Sequence, residues 1–504
     1  MSGCSVLLLP AALSAQDNPP WLDEPHLPVI QRTAAETARI ASVTAPTTDF
    51  SAPEQFEQNP AGAATTRYLS SADAFSQFSP NMPFTSEMDF KIGNGIFRKL
   101  WVGAPSSTRG SDGLGPLYNA RACQNCHIKD GRGHLPDGRD DSRVSAFLRL
   151  SIPGGEDQPE IPGYIPTSPD PIYGGQLQDL ALAGFQAEAR MGITWTEIPV
   201  TLADGAVVNL RSPSYDVKNP AYGPLHENTM LSPRVAPQMI GLGLLEAVPA
   251  ADIIALADPD DANGDGISGR PQIIWSGEFG QPMLGRFGHK AGNATIRAQS
   301  AGAFSGDMGL SNPMASDPSG ECTETEAACR KAPPGQEPGI RDGLEVDGES
   351  LDLVTFYSRN LAVPERRGMD NPQTLRGKEI AYSIGCTNCH NPKFVTHRLK
   401  DQPEQSFQLI WPYTDMLLHD LGEGLADNRP ESRANGQEWR TAPLWGISLN
   451  GQVTGVESYL HDGRARTLLE AILWHGGEAQ LARDAVVNLP TEDRKALISW
   501  LESL

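Results

Sequence analysis

The chain has 504 residues, room for about three average domains, and 40 Lys and Arg against 62 Asp and Glu leave a formal net charge of −22. Such an acidic chain lacks the basic footprint that nucleic acid or an anionic membrane surface requires. With 50 glycines and 42 prolines it reads as loop-rich, not as a helical bundle or coiled coil, and seven cysteines are too few for a disulfide scaffold.

Residues 5–13 (SVLLLPAAL) form a short apolar run, followed by small residues at Ser14 and Ala15. This is the pattern of a secretory signal over 1–15, although no Lys or Arg precedes Arg32. No stretch approaches the ~20 apolar residues of a membrane span. Residues 16–85, rich in Pro, Ala, Thr and Gln, read as a linker or wrapping arm. In 86–142, Phe90, Gly93, Phe97 and Trp101 predict an amphipathic helix, and a turn-rich stretch from Gly113 to Asn119 leads to the first cysteine pair. Gly131 and Gly133 close the segment that carries it. Residues 143–230 change character: VSAFLRLSI, ITWTEIPVTL and AVVNLR, separated by Gly, Pro and Asp, predict a β-rich insertion. Residues 231–343 return to helix over 232–256 and then to loops. Within them, Asp261, Asn263 and Asp265 alternate ahead of Gly266 like the first half of a calcium loop. Gln272 stands where an EF-hand would place its Glu, so the alternative is a polar turn. Residues 344–504 predict helices over 344–362, 371–390 and 491–504.

Two motifs carry the chemistry: Cys123-Gln-Asn-Cys126-His127 and Cys386-Thr-Asn-Cys389-His390. Both read CxxCH, the c-type haem attachment signature, which this composition would produce by chance about 0.002 times. Thiols three residues apart lie about one helical turn from each other, in reach of the two vinyl groups on one haem edge. The adjacent histidine then ligates the iron, making His127 and His390 the proximal ligands. The competing reading is zinc, which wants four ligands, usually with a second Cys/His pair nearby. The remaining pair, Cys322 and Cys329, has no histidine between it and His289. Cys322 and Cys329 predict a local disulfide in an oxidising compartment, the alternative being a redox-active thiol pair. Covalent haem attachment implies assembly outside the cytosol, so the expected location is periplasmic or otherwise exported.

Chemistry at an open iron needs an acid–base group and a positive partner. Glu246, in the apolar run GLGLLEAVP, and Arg234 are the candidates, the alternative for Glu246 being a buried structural carboxylate.

The stretches GLGPLYNARACQNCHIKDGRG, SPRVAPQMIGLGLLEAVP, DANGDGISGR, GRFGHKA, IGCTNCHNP, YTDMLLHDLGEGLAD and WRTAPLWGI…YLHDGRARTLLEAILWHGGEA carry a family resemblance over roughly residues 85–504. The chain resembles the bacterial di-haem c-type oxidoreductases (thiol oxidoreductase-like) of the di-haem cytochrome c peroxidase superfamily. His289 departs from the aromatic residue expected there. The fold expected is mainly α with a β-rich insertion and two cytochrome c-like haem domains. The resemblance implies a distal ligand for the second haem at His475, with His419 and Met416 as competitors, and places His461 near a propionate. It leaves the first haem with an open distal side or with His134. Trp445 is implied as an electron station between the haems.

The function expected is an exported oxidoreductase that passes electrons from a small donor protein, through the C-terminal haem, to an N-terminal haem that reduces peroxide or another small oxidant. The −22 charge suits a basic donor. The alternatives are a haem-dependent oxidase of a protein or small substrate, and a non-catalytic electron-transfer cytochrome.

Overall fold

A computed structural model describes residues 19–136 and 145–504. The expected signal segment over 1–15, with Cys4, lies outside the described residues.

Helices are short because glycine and proline keep interrupting them, and the backbone between them pairs wherever another stretch comes alongside. The result is 29% helix and 18% strand, with the strands in eight small sheets among the described residues. This corrects the mainly α expectation. Strand pairing is not confined to an insertion. Val29–Ile30 pairs with Arg398–Leu399, Thr65–Thr66 with Val363–Pro364, and Leu418–Asp420 with Glu438–Arg440. Runs of two or three residues have no hydrophobic period to announce them.

Ala146–Pro153 pairs antiparallel with Met230–Val235, from Ala146 opposite Val235 to Ser151 opposite Met230. Residues 232–235, expected to begin a helix, are therefore strand, and only the short turns Leu242–Glu246 and Ala250–Ile254 are helical there. Arg190–Thr201 and Val207–Lys218 form a long hairpin in register from Arg190–Lys218 to Thr201–Val207. An isolated two-stranded ribbon is marginal in water. This one is held by its tip: Leu202 and Leu210 pack into the cluster of Ile380, Trp411, Leu473 and Trp500, and Ala203 N donates to Val487 O at 3.0 Å.

Two helix pairs flank the cysteine motifs. Glu87–Phe97 packs on Gly348–Arg359, with the Phe90 and Phe97 rings 4.8 and 5.2 Å from Tyr357. Gly93 permits this, since a Cβ there would overlap Leu353 O. Tyr357 Oη donates to Asp130 at 2.7 Å, anchoring the turn after the first motif. Pro372–Ser383 leads into the second motif and packs on Thr491–Ser503, where a Cβ on Gly377 would overlap Ala496 O. Asn371 caps the former helix through Gln373 N at 2.9 Å, with Pro372 in its first turn.

Residues 19–85 wrap the rest. Glu57, buried, is held between Arg366 and Lys378, with Lys378 Nζ at 2.8 Å. Glu24 reaches Arg286 and His397, and Arg32 reaches Asp252 at 3.0 Å. No helix among the described residues is long and apolar enough to cross a membrane.

Candidate functional site

Each CxxCH motif folds as a single helical turn: Cys123–Cys126 is an α-turn and Cys386–Asn388 a 3-10 turn. His127 N bonds to Cys123 O and His390 N to Cys386 O, both at 3.0 Å, so the turn sets the thiols and imidazole of each motif side by side. His127 Nδ1 lies 2.8 Å from Pro237 O, and His390 Nδ1 lies 2.9 Å from Tyr413 O. A carbonyl only accepts, so in each ring Nδ1 carries the proton and Nε2 keeps its lone pair. Burial pushes both imidazoles down to about 4, which keeps them neutral. That is the state a metal-ligating histidine needs, with its second nitrogen fixed by a backbone carbonyl.

Both motifs line one cavity of about 670 Å3. Its wall is largely apolar, including Phe97, Ile240, Phe287, Leu468 and Leu497. Burial raises the thiols, Cys123 and Cys386 to about 12, with Asp307 adding to the effect at Cys123 and Cys126. The two motifs, their carbonyl-fixed imidazoles and the shared apolar wall fit two haems. His127 and His390 would hold iron, and the four thiols would tether the rings.

His475 caps the C-terminus of Leu468–Trp474 and lines the same cavity. Its Nδ1 meets Ala471 O at 2.8 Å, so it too keeps an open Nε2, and burial lowers its pKa. His390 lines the same cavity and feels its charge. His419 is different. Its Nε2 is 2.7 Å from Asp415 and its Nδ1 is 2.6 Å from Glu478. Burial alone would lower its pKa, but the two carboxylates outweigh it and hold the ring as imidazolium. With both nitrogens engaged it is no iron ligand. Met416 packs in the central core, and His134 Nδ1 turns back to Leu135 O at 2.8 Å; neither lines the cavity.

Arg234 lines the cavity, bound to Glu431 at 3.0 Å and to Ser232 Oγ at 2.8 Å. Glu246 does not. Its Oε1 accepts from Ile296 N at 2.8 Å and its Oε2 from Arg359 Nε at 3.0 Å, so it seats the start of the Ile296–Gly306 helix as a structural carboxylate. That is the alternative the sequence leaves open for it. Trp445 is buried in the central core against Gly241, in one cluster with the wall residues Ile240 and Phe287. The large aromatic on the wall near Arg234 is Trp439. His461 stacks on it, and His289, bound through Nε2 to Val235 O at 2.8 Å, stands edge-on to it.

Asp261, Asn263 and Asp265 turn their side-chain oxygens onto backbone N–H groups of Gly266, Asp265 and Ile267 in their own loop. Among the described residues no cluster of three or more His, Cys, Asp or Glu can hold a metal ion. These hydrogen bonds close the loop on its own backbone. Cys322 and Cys329 are joined by a disulfide, with Cα atoms 5.9 Å apart, buried beside Leu117.

Two features had no readable signal in the sequence. Pro237 and Tyr413 act through main-chain oxygens, which leave no side-chain signature. Asp307, on the cavity wall, takes a hydrogen bond from Gln176 Nε2 at 2.8 Å, and burial raises its pKa.

No curated protein matches the chain. A solved structure of Kuenenia stuttgartiensis hydrazine synthase, pressurised with 20 bar xenon, is 17% identical over 40% of this chain and 70% of that one, with a TM-score of 0.22. The family described as "Di-haem oxidoreductase, putative peroxidase" matches residues 56–504. That match spans most of the sequence, and the chain belongs to the di-haem oxidoreductase family.

Proposed function

We propose that this di-haem oxidoreductase is an exported c-type cytochrome that reduces peroxide with electrons from a small basic donor protein. The observation that carries the reading is the pair of carbonyl-fixed imidazoles, His127 and His390, opening onto one cavity with the four motif thiols. Covalently tethered haems would supply one-electron transfer and two-electron reduction of peroxide, which takes two electrons and two protons to give two waters.

The protein's part is to position, shield and protonate. At the second site His390 and His475, each with its Nδ1 on a backbone carbonyl, would hold the iron. At the first site Arg234 brings positive charge to the wall. Burial would raise Glu431, but Arg234 and Arg429 outweigh it and hold its carboxyl down to about 2, so it stays an anion. Asp307 is pushed the other way, toward its protonated form, beside the thiols of the first motif. We therefore assign Asp307 the proton-holding role expected of Glu246. The −22 charge favours encounter with a basic donor.

The test is spectroscopic and kinetic. A high-spin, five-coordinate haem beside a low-spin one, with rapid oxidation of the reduced protein by hydrogen peroxide, is expected. Two low-spin haems that stay so on reduction, or a reduced protein inert to peroxide, would overturn the peroxidase reading in favour of electron transfer alone.

A further inference from the structure

We propose that Arg132 is the cationic anchor for a propionate of the haem tethered by the first motif. The proposal rests on the di-haem reading above and assigns a subsite within it. Arg132 lines the cavity five residues beyond His127. Its Nε and Nη2 are buried and have no hydrogen-bond partner among the described residues. Two buried guanidinium nitrogens without an acceptor are unfavourable, and an anion in the cavity would satisfy both.

Among the described residues no free carboxylate supplies that anion. Asp462 is the carboxylate whose charge Arg132 feels most. Its Oδ2 already accepts from Arg464 Nε at 2.8 Å and Tyr215 Oη at 3.0 Å, and its Oδ1 from Arg464 N at 3.1 Å. Tyr459, the other neighbour, has its phenol pKa raised by burial and stays neutral. Glu431 is engaged by Arg234 and Arg429. His289 is held neutral at about 3 by burial and by the cations around it.

A c-type haem brings two carboxylates on the edge opposite its vinyl groups. With the vinyl edge fixed at Cys123 and Cys126, those carboxylates are the anions the cavity would receive. The planar fork of Arg matches a carboxylate bidentately. The backbone links Arg132 to the first site in particular: Gly133 N donates to Ala236 O at 2.9 Å, and His127 Nδ1 bonds the next carbonyl, Pro237 O. His461 on the same wall also has a buried Nε2 without a hydrogen bond, 3.9 Å from Asp462 Oδ2, a second polar atom for the same group.

The experiment is spectroelectrochemical titration of the holoprotein and its Arg132→Leu and Arg132→Lys variants across neutral pH. The second-site haem is identified by the spectral change in His475→Ala. Arg132→Leu is expected to lower the first-site reduction equilibrium constant about tenfold, 59 mV for a one-electron couple. It should also make that potential fall with rising pH, because an unpaired buried propionate binds a proton on reduction. Arg132→Lys should recover most of both. Should Arg132→Leu fail to fold, Arg132→Gln carries the same readings. Unchanged potentials and pH profiles, or a shift confined to the second site, overturn the proposal. Fewer than two covalent haems in the unmodified protein, counted from its pyridine haemochrome spectrum, would instead overturn the reading beneath it.

Discussion

The His461 imidazole lies flat on the Trp439 indole, with ring centroids 3.7 Å apart and planes 13° apart. Lys290 Nζ and Arg234 Cζ stand 4.5 and 5.2 Å from the same ring. Lys290 is fully buried, and its ammonium is held by Asp427 at 2.8 Å and by two carbonyls. Cations over the ring stabilise the neutral indole and oppose any further positive charge on it. Trp439 is therefore expected to be packing, not a site where an electron is removed. Trp439→Phe should leave peroxide turnover essentially unchanged, whereas Trp439→Ala should cost ~3–5 kcal/mol in urea denaturation.

Removing His475 tests the second site. His475→Ala takes away the open Nε2 beside His390. Its low-spin optical and electron paramagnetic resonance signals should convert to high-spin ones, with the first-site signals unaltered. An unchanged low-spin spectrum would assign the sixth ligand to another residue.

Glu246 and Asp307 separate structural from catalytic carboxylates. Glu246→Gln weakens the bond to Arg359 and the seat of the Ile296–Gly306 helix. It should destabilise the fold by ~3 kcal/mol, because one partner of a buried pair is left uncompensated. Peroxide turnover per folded molecule should not change. Asp307→Asn should do the reverse, slowing turnover by about 10²–10⁴-fold, a general acid's contribution.

Acid stability follows from Glu431. Its folded pKa of about 2 lies below the ordinary Glu value of ~4.3. The unfolded chain therefore binds a proton that the folded chain refuses. This stabilisation is complete above the ordinary value and is lost as pH falls from ~5 toward 2, a contribution on the order of 3 kcal/mol. Denaturant titrations at pH 6 and pH 3 should show the fall, and Glu431→Gln should flatten it.

Helix contact is tested at Gly377. Its Cβ position is filled by Ala496 O and the Trp500 side chain. Gly377→Ala should force Pro372–Ser383 away from Thr491–Ser503 at a cost of ~1–3 kcal/mol, read as a lower melting temperature.

What could be read from the sequence was whatever is local. The CxxCH turns are local chemistry, so Cys123, Cys126, His127 and their second-site counterparts are legible from spacing alone. The helices at 87–97, 348–359 and 372–383 and the 190–218 hairpin carried their own periodicity and turn residues. Glu246 was not legible in the same way. An apolar run announces burial, but its partner Arg359 lies 113 positions away. The excess of helix expected had the same cause, since two-residue strands such as Thr65–Thr66 exist only because Val363–Pro364 comes alongside. Residues 232–235 looked helical from the run that follows them and are strand because 146–149 offers a pairing edge.

The arm at residues 19–85 also sets a timetable. Glu57 meets Arg366 and Lys378 only across 309 and 321 positions of chain, and Val29 meets Leu399 later still. Contacts so distant in sequence form slowly, after closer ones have condensed. During synthesis the first segment made is thus among the last to dock. The Val29–Leu399 pairing can close only after both cysteine turns have been made, which leaves an interval for loading cofactors before that part of the shell is complete.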